Sequence, residues 1–368
     1  MKITTQINRI IIIVLILIIG INQNICQGQT GNQLYLDPRQ SIEQRVKDLL
    51  SKMTLEEKIG QLNMPALFTK DLGESIEEKM EGCKEFTRGT YEEGVGPGGG
   101  FFSIPDKILH KGPRQQAEFI NELQWIAREE TRLGIPLFII EEGTHGLRAS
   151  GATIFPEGLA IGSTWNMDLV EEIYSTAAKE ARSIGVHQLF TLVIEPNRDP
   201  RLGRNMETYS EDPYLCSRIA ESIIAGAQGE GISSEDKVIA GLCHFPGQSQ
   251  GTGGFERGSM EISERQLREV FLPPWEAGIK KAKKAAGKAD VAIVVVGENE
   301  WRTVDNEENS VGTNGEGKDI ANLDLTGLQE ELIKAVHSTG TPTIVVLING
   351  RPLSTRWTAE NVPAILEA

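Results

Sequence analysis

Cysteine is scarce in this sequence, with 4 in 368 residues, and Cys26, Cys83, Cys216 and Cys243 stand far apart. That spacing fits neither a disulfide framework nor a zinc site. Basic residues are outnumbered, 37 Lys and Arg against 52 Asp and Glu, giving a formal charge of -15. Such a balance repels phosphate backbones and anionic membrane faces, which argues against nucleic acid as a partner. Long apolar stretches are missing beyond a single run, Ile10 to Ile19. No internal repeat of fixed period is visible. The glycine-rich cluster Gly94 to Gly100 lacks the preceding strand and following helix that a dinucleotide loop requires, so it reads as a loop.

The one apolar run is informative. Lys2 and Arg9 precede it, and Cys26-Gln27-Gly28 follows with small residues at its first and third places. This is the layout of a secretory signal peptide cleaved after Gly28, and the run is too short for a comfortable membrane span. A secreted or periplasmic chain without a membrane anchor is expected after cleavage. What remains is long enough for two domains, or for one large barrel with an appendage.

Residues 29–40 are polar and read as a flexible lead-in. From Ser41 to Leu62, apolar residues recur at helical spacing, with Thr54 and Glu57 placed to cap a second helix. From Gly134 the chain alternates. The pattern predicts strands over 136–141, 189–194 and 238–245 and helices over 167–184, 213–228 and 263–279. Repeated strand-helix units of this length argue for a parallel sheet or barrel. After the lysine-rich run at 280–284 the texture changes. Strands over 290–296 and 342–348 flank a helix over 326–338. The expected architecture is α/β: a (β/α) barrel over 41–280, then the start of an α/β sandwich over 285–368.

Charged clusters follow three of the predicted strands. They are Glu141 to Arg148, the loop Arg198 to Arg204 with Ser210 to Tyr214, and Cys243 to Gln248 with Arg257 downstream. In a barrel, residues just after the strands share one end, where ligands bind. Arginine forks suit the vicinal oxygens of sugars and carboxylates. Any one cluster also reads as a surface salt-bridge loop, but three at successive strand ends point to a shared pocket.

These residues resemble glycoside hydrolase family three, in particular its β-glucosidase and β-xylosidase members. The resemblance runs through Arg45 to Leu62, Glu141 to Arg148, Phe155 to Asn166 and Arg198 to Tyr214. It continues through His244-Phe245, Ile262 to Pro274, Ala289 to Glu298 and Asn349 to Leu353. It implies a barrel followed by a sandwich, with metal-free retaining hydrolysis of terminal β-linked sugars, no cofactor, and an oligosaccharide or β-glycoside as partner. Position by position, it implies substrate binding by Glu142, Arg148, Arg204 and His244. Cys243 falls where the family has lysine, and a thiol cannot supply that charge or its three donors. Arg257 is carried as a further binding candidate.

The family's nucleophile is the Asp of a Ser-Asp-Trp segment, and this sequence contains no Ser-Asp dipeptide. Pro273 to Ile279 runs into Lys284 to Asp290 like a join between distant family segments, so the last barrel strands are expected to be missing. The acid/base carboxylate is expected in the loop 299–318. Glu316 fits the register best, Glu307 and Glu308 are alternatives, and a purely solvated charged loop remains open. A catalytically inactive carbohydrate-binding remnant is the rival reading. The N-acetylglucosaminidase branch ranks below it, because Gln248 stands where that branch has a second histidine.

Overall fold

A computed structural model describes residues 33–109, 111–244, 246–256, 260, 262–286, 292–297, 323–325, 329–348 and 353–367. The signal segment, Arg257, Glu307, Glu308 and Glu316 lie outside the described residues. Contacts divide the chain into Met1–Met53 and Thr54–Ala368.

In the first unit, helix α1 (Ile42–Lys52) starts at a reciprocal cap between Ser41 and Gln44. Asp48 accepts the backbone N–H of Tyr35 at 3.0 Å, and Arg45 Nε donates to the Tyr35 carbonyl at 2.8 Å. These bonds tie the lead-in to the helix.

The second unit begins with α2 (Leu55–Gln61), capped by Thr54 and Glu57 as the sequence predicts. Next come α3 (Ile76–Arg88), β1 (Gly100–Phe102), α4 (Ile104–Lys107), α5 (Pro113–Trp125) and β2 (Phe138–Glu142). Then follow α6 (Gly158–Ser163), α7 (Met167–Ser183), β3 (Gln188–Leu192), α8 (Pro213–Gln228), β4 (Ile239–Leu242), α9 (Glu264–Gln266) and α10 (Leu272–Ala286). A π turn, Leu267–Phe271, interrupts the helix expected over 263–279. The glycine cluster is loop except at its end, where Gly100 opens β1. A Cβ there would meet the Phe138 carbonyl oxygen at 1.9 Å, so only glycine admits the neighbouring strand.

β1 to β4 form one parallel sheet in sequence order, joined at its β1 edge by a parallel bridge from Ala66 to Phe102. Strand residues alternate between the two faces. Phe101, Ile139 and Leu189 share one face and pack on Phe119, Ile120 and Leu123 of α5 and Ala177, Ala178 and Ala181 of α7. On the other face Phe102 pairs in register with Ile140, and Glu142 with Phe190. Phe102, Phe190 and Glu142 are only half-buried. The expected α/β class with parallel strands holds, and the sheet does not close into a barrel among the described residues.

A second parallel sheet has the order β5 (Ala292–Gly297), β6 (Thr343–Ile348), β7 (Ala364–Glu367). Its core gathers Val294, Val296, Val345 and Leu347 with Ile333 of α11 (Gln329–His337) and Val362 after α12 (Arg356–Asn361).

Candidate functional site

Because β2, β3 and β4 are parallel, the segments leaving their carboxyl ends emerge on the same side of the sheet. β2 ends at Glu142, the loop 196–212 follows β3, and Cys243-His244 follows β4 directly. Two buried tyrosines hold these exits together. The Tyr174 hydroxyl lies 2.5 Å from the Thr144 carbonyl oxygen and the Tyr209 hydroxyl 3.0 Å from the Thr191 carbonyl oxygen, and the two hydroxyls also touch, so their two protons are shared among these three contacts.

Arg204 is the hub. Its Nε donates to one carboxylate oxygen of Glu207 at 2.7 Å and its Nη2 to the other. Nη2 also lies 3.4 Å from His244 Nε2, and Nη1 lies 3.7 Å from the Glu256 carboxylate. Glu142 sits within electrostatic reach of Arg148, Glu207 and Arg204. Burial raises its carboxyl above the ordinary range, more than the two guanidiniums lower it. Burial also pushes the Cys243 thiol up to about 12, with the nearby Glu142 carboxylate acting in the same direction. That thiol is therefore neutral and a poor nucleophile near neutral pH. Burial lowers the His244 imidazole, and so does the adjacent Arg204 charge. His244 is thus a neutral ring, and its Nδ1 is buried with no partner among the described residues.

The structure brings together four of the sequence candidates, Glu142, Arg204, Cys243 and His244. Arg148 stands beside them. Its backbone N–H donates to the Glu142 carbonyl at 3.0 Å, while its guanidinium pairs with Asp106 at 3.2 Å and is mostly exposed. Sequence reasoning missed Glu207, Glu256 and Asp106. The available signal for Glu207 was its place three residues after Arg204, one helical turn away. It also missed the role of Glu141, which is fully buried and takes backbone N–H bonds from Asp106 at 3.1 Å and Glu142 at 2.9 Å. Burial raises the Glu141 carboxyl to about 8.

The cluster holds two guanidiniums, a neutral imidazole and three carboxylates, a set that can donate to and accept from hydroxyl groups. Among the described residues no three His, Cys, Asp or Glu side chains are arranged to hold a metal ion. No helix among them is long and apolar enough to cross a membrane. A cavity of about 500 Å³ lies elsewhere, between the segment 63–66 and the loop 89–96, and none of the cluster residues lines it.

The model of the glycosyl hydrolase family 3 N-terminal domain matches residues 54–294. A putative β-xylosidase of Formosa agariphila is 34% identical over 257 residues, 69% of this chain and 33% of that protein. A periplasmic β-glucosidase of Salmonella typhimurium is 30% identical over 234 residues, 64% of this chain and 27% of that protein. Among solved structures, an exo-1,3/1,4-β-glucanase from a Pseudoalteromonas species aligns with a TM-score of 0.55 at 25% identity, covering 69% of this chain and 30% of that one. The chain spans about a third of the length of the curated relatives it matches.

Proposed function

Since the chain belongs to glycosyl hydrolase family 3, we propose that the Arg204 cluster is the sugar-binding half of a retaining β-glycosidase site, taking a terminal β-linked glucose or xylose unit in a secreted protein. In this reading Glu142 and the neutral His244 accept from or share protons with sugar hydroxyls, and Arg204 and Arg148 donate to them. The observation that carries the proposal is the meeting of Arg204 and His244, from two different strand exits, beside Glu142.

Retaining hydrolysis needs one carboxylate to attack the anomeric carbon and a second, about 5 Å away, to protonate the leaving oxygen. The acid/base role falls to Glu316, with Glu307 and Glu308 as alternatives, and Arg257 would add a further donor. The secreted location is supported by the charged and apolar layout of residues 1–28. A second reading, binding without turnover, draws support from the absence of any Ser-Asp dipeptide to supply the nucleophile.

Glucose titration tests the shared premise. Glucose binding that weakens in Arg204→Ala and in His244→Ala supports an assembled subsite. Binding that is unaffected by both substitutions rules it out.

A further inference from the structure

Immediately before the loop that carries Arg204 lies a buried carboxylate with an unusual set of partners. Glu195 is 3% exposed, and no ion pair reaches it among the described residues. Its Oε1 accepts the backbone N–H of Ser249 at 2.6 Å and the Ser249 hydroxyl at 2.5 Å. The nearby backbone N–H groups of Gly247 and Gln248 also favour its charged form, although burial, the larger effect, raises the carboxyl above its ordinary range. The Ser249 hydroxyl lies 3.2 Å from the Pro196 carbonyl as well. A buried carboxylate without a cation keeps its charge only as far as donors such as the Ser249 N–H and hydroxyl offset its burial.

The turn that supplies these donors has a special shape. Gly247 has φ 110°, in the region that favours glycine, and a Cβ there would strike the Met260 sulfur at 1.7 Å. The turn presents the Ser249 N–H and hydroxyl to the end of the β3 segment. The turn begins three residues after His244, and Glu195 lies nine residues before Arg204. One carboxylate therefore fastens the exit of β4 to the exit of β3, the two segments whose side chains meet at Arg204 and His244.

We propose that Glu195 is a positioning residue for the sugar subsite, holding the 247–249 turn so that His244 stands against Arg204. The assignment rests on the sugar-binding reading of the cluster for its functional consequence, but its structural content stands apart. Glutamine is the informative replacement. The site offers backbone donors, and a carboxamide presents one acceptor oxygen together with an NH2 group that donates. One side of the turn would then face donor against donor. Alanine at Ser249 is milder, because it removes the hydroxyl and keeps the backbone bonds.

The test uses the full chain with labelled histidine, the His244 resonances being assigned with His244→Gln. In Glu195→Gln the His244 signals are expected to move while those of His145, His187 and His337 stay in place. Glucose affinity, read by titration calorimetry, should fall about tenfold, the scale of losing hydrogen bonds to a charged group. Ser249→Ala should shift the same His244 signals by less, and it carries the test if Glu195→Gln does not fold. Unmoved His244 signals in the variants that fold overturn the assignment. A parent chain that fails to bind glucose overturns the sugar-subsite reading instead, and the histidine spectra still decide the role of Glu195.

Discussion

Nη2 of Arg204 lies 3.4 Å from Nε2 of His244, although the two residues belong to separate strand exits and stand 40 positions apart in sequence. Glu207 occupies the guanidinium fork from one side. On the proposed sugar-binding reading, a sugar entering here must share Arg204 with a carboxylate, which limits affinity.

Hydrolysis of nitrophenyl β-glucoside and nitrophenyl β-xyloside by this polypeptide should not exceed the background rate. Without an attacking carboxylate the covalent route of retention is closed. Release of nitrophenol measures this directly. Turnover that vanishes on mutating Asp305 or Asp319 would show that another carboxylate attacks.

Cys243→Lys should strengthen glucose binding. The thiol lies close to the carboxylates of Glu142 and Glu207, both of which disfavour its ionised form. An ammonium in that place would offset their charge and offer three donors. A gain of roughly tenfold is expected, in line with about 1.5 to 3 kcal/mol for a hydrogen bond involving a charged group. Calorimetric titration of both proteins gives the ratio, and equal affinities would mean that position 243 does not face the sugar.

Tyr209→Phe should cost about 1 to 2 kcal/mol of stability, by removing the hydroxyl that meets the Thr191 carbonyl and the Tyr174 hydroxyl. Leu189→Ala, in the core between sheet and helices, should cost more, about 2 to 5 kcal/mol. Urea denaturation of the two variants gives the order, and a smaller loss for Leu189→Ala would place the main core elsewhere.

Stability should fall on both sides of mildly acidic pH. His187 Nδ1 accepts the Ile139 N–H at 3.0 Å, and burial lowers the imidazole from 6.5 to about 4. Because the folded state binds fewer protons there, this contribution is complete above pH 6.5 and is lost as pH falls towards 4. Glu141 acts in the opposite sense. Its carboxyl rises from 4.5 to about 8, so its contribution is complete below pH 4.5 and is lost as pH climbs through 8. Urea midpoints across roughly pH 4 to 9 test this. His187→Asn should flatten the acid limb and Glu141→Gln the alkaline limb.

Much of the fold is legible in the sequence because its signals are local. The helix Pro213–Gln228 follows a capping Asp212 and carries a dense apolar stripe, and its ends agree with the reading. Helix α3 is harder to see, because glutamates and lysines crowd its exposed side and only Cys83 and Phe86 among its large apolar residues are fully buried. The strand β1 is hidden inside a glycine run whose purpose is close packing against Phe138. In the site, the arginines announce themselves by residue type. Of the carboxylates around them, Glu207 is near Arg204 in sequence, but Glu256 reaches Arg204 and Glu195 reaches the 247–249 turn only because the fold brings separate segments together.

The half-covered face of the β1 to β4 sheet, with Phe102 and Phe190 in edge-to-face contact at 5.4 Å and Phe68 standing 5.8 Å beyond, bears on how the protein melts. Apolar area that already meets water in the folded state cannot be newly exposed on unfolding. The heat-capacity increment and the urea dependence both scale with newly exposed area. Both should therefore fall below those of a closed barrel of equal length, giving a broad, shallow melting curve in calorimetry.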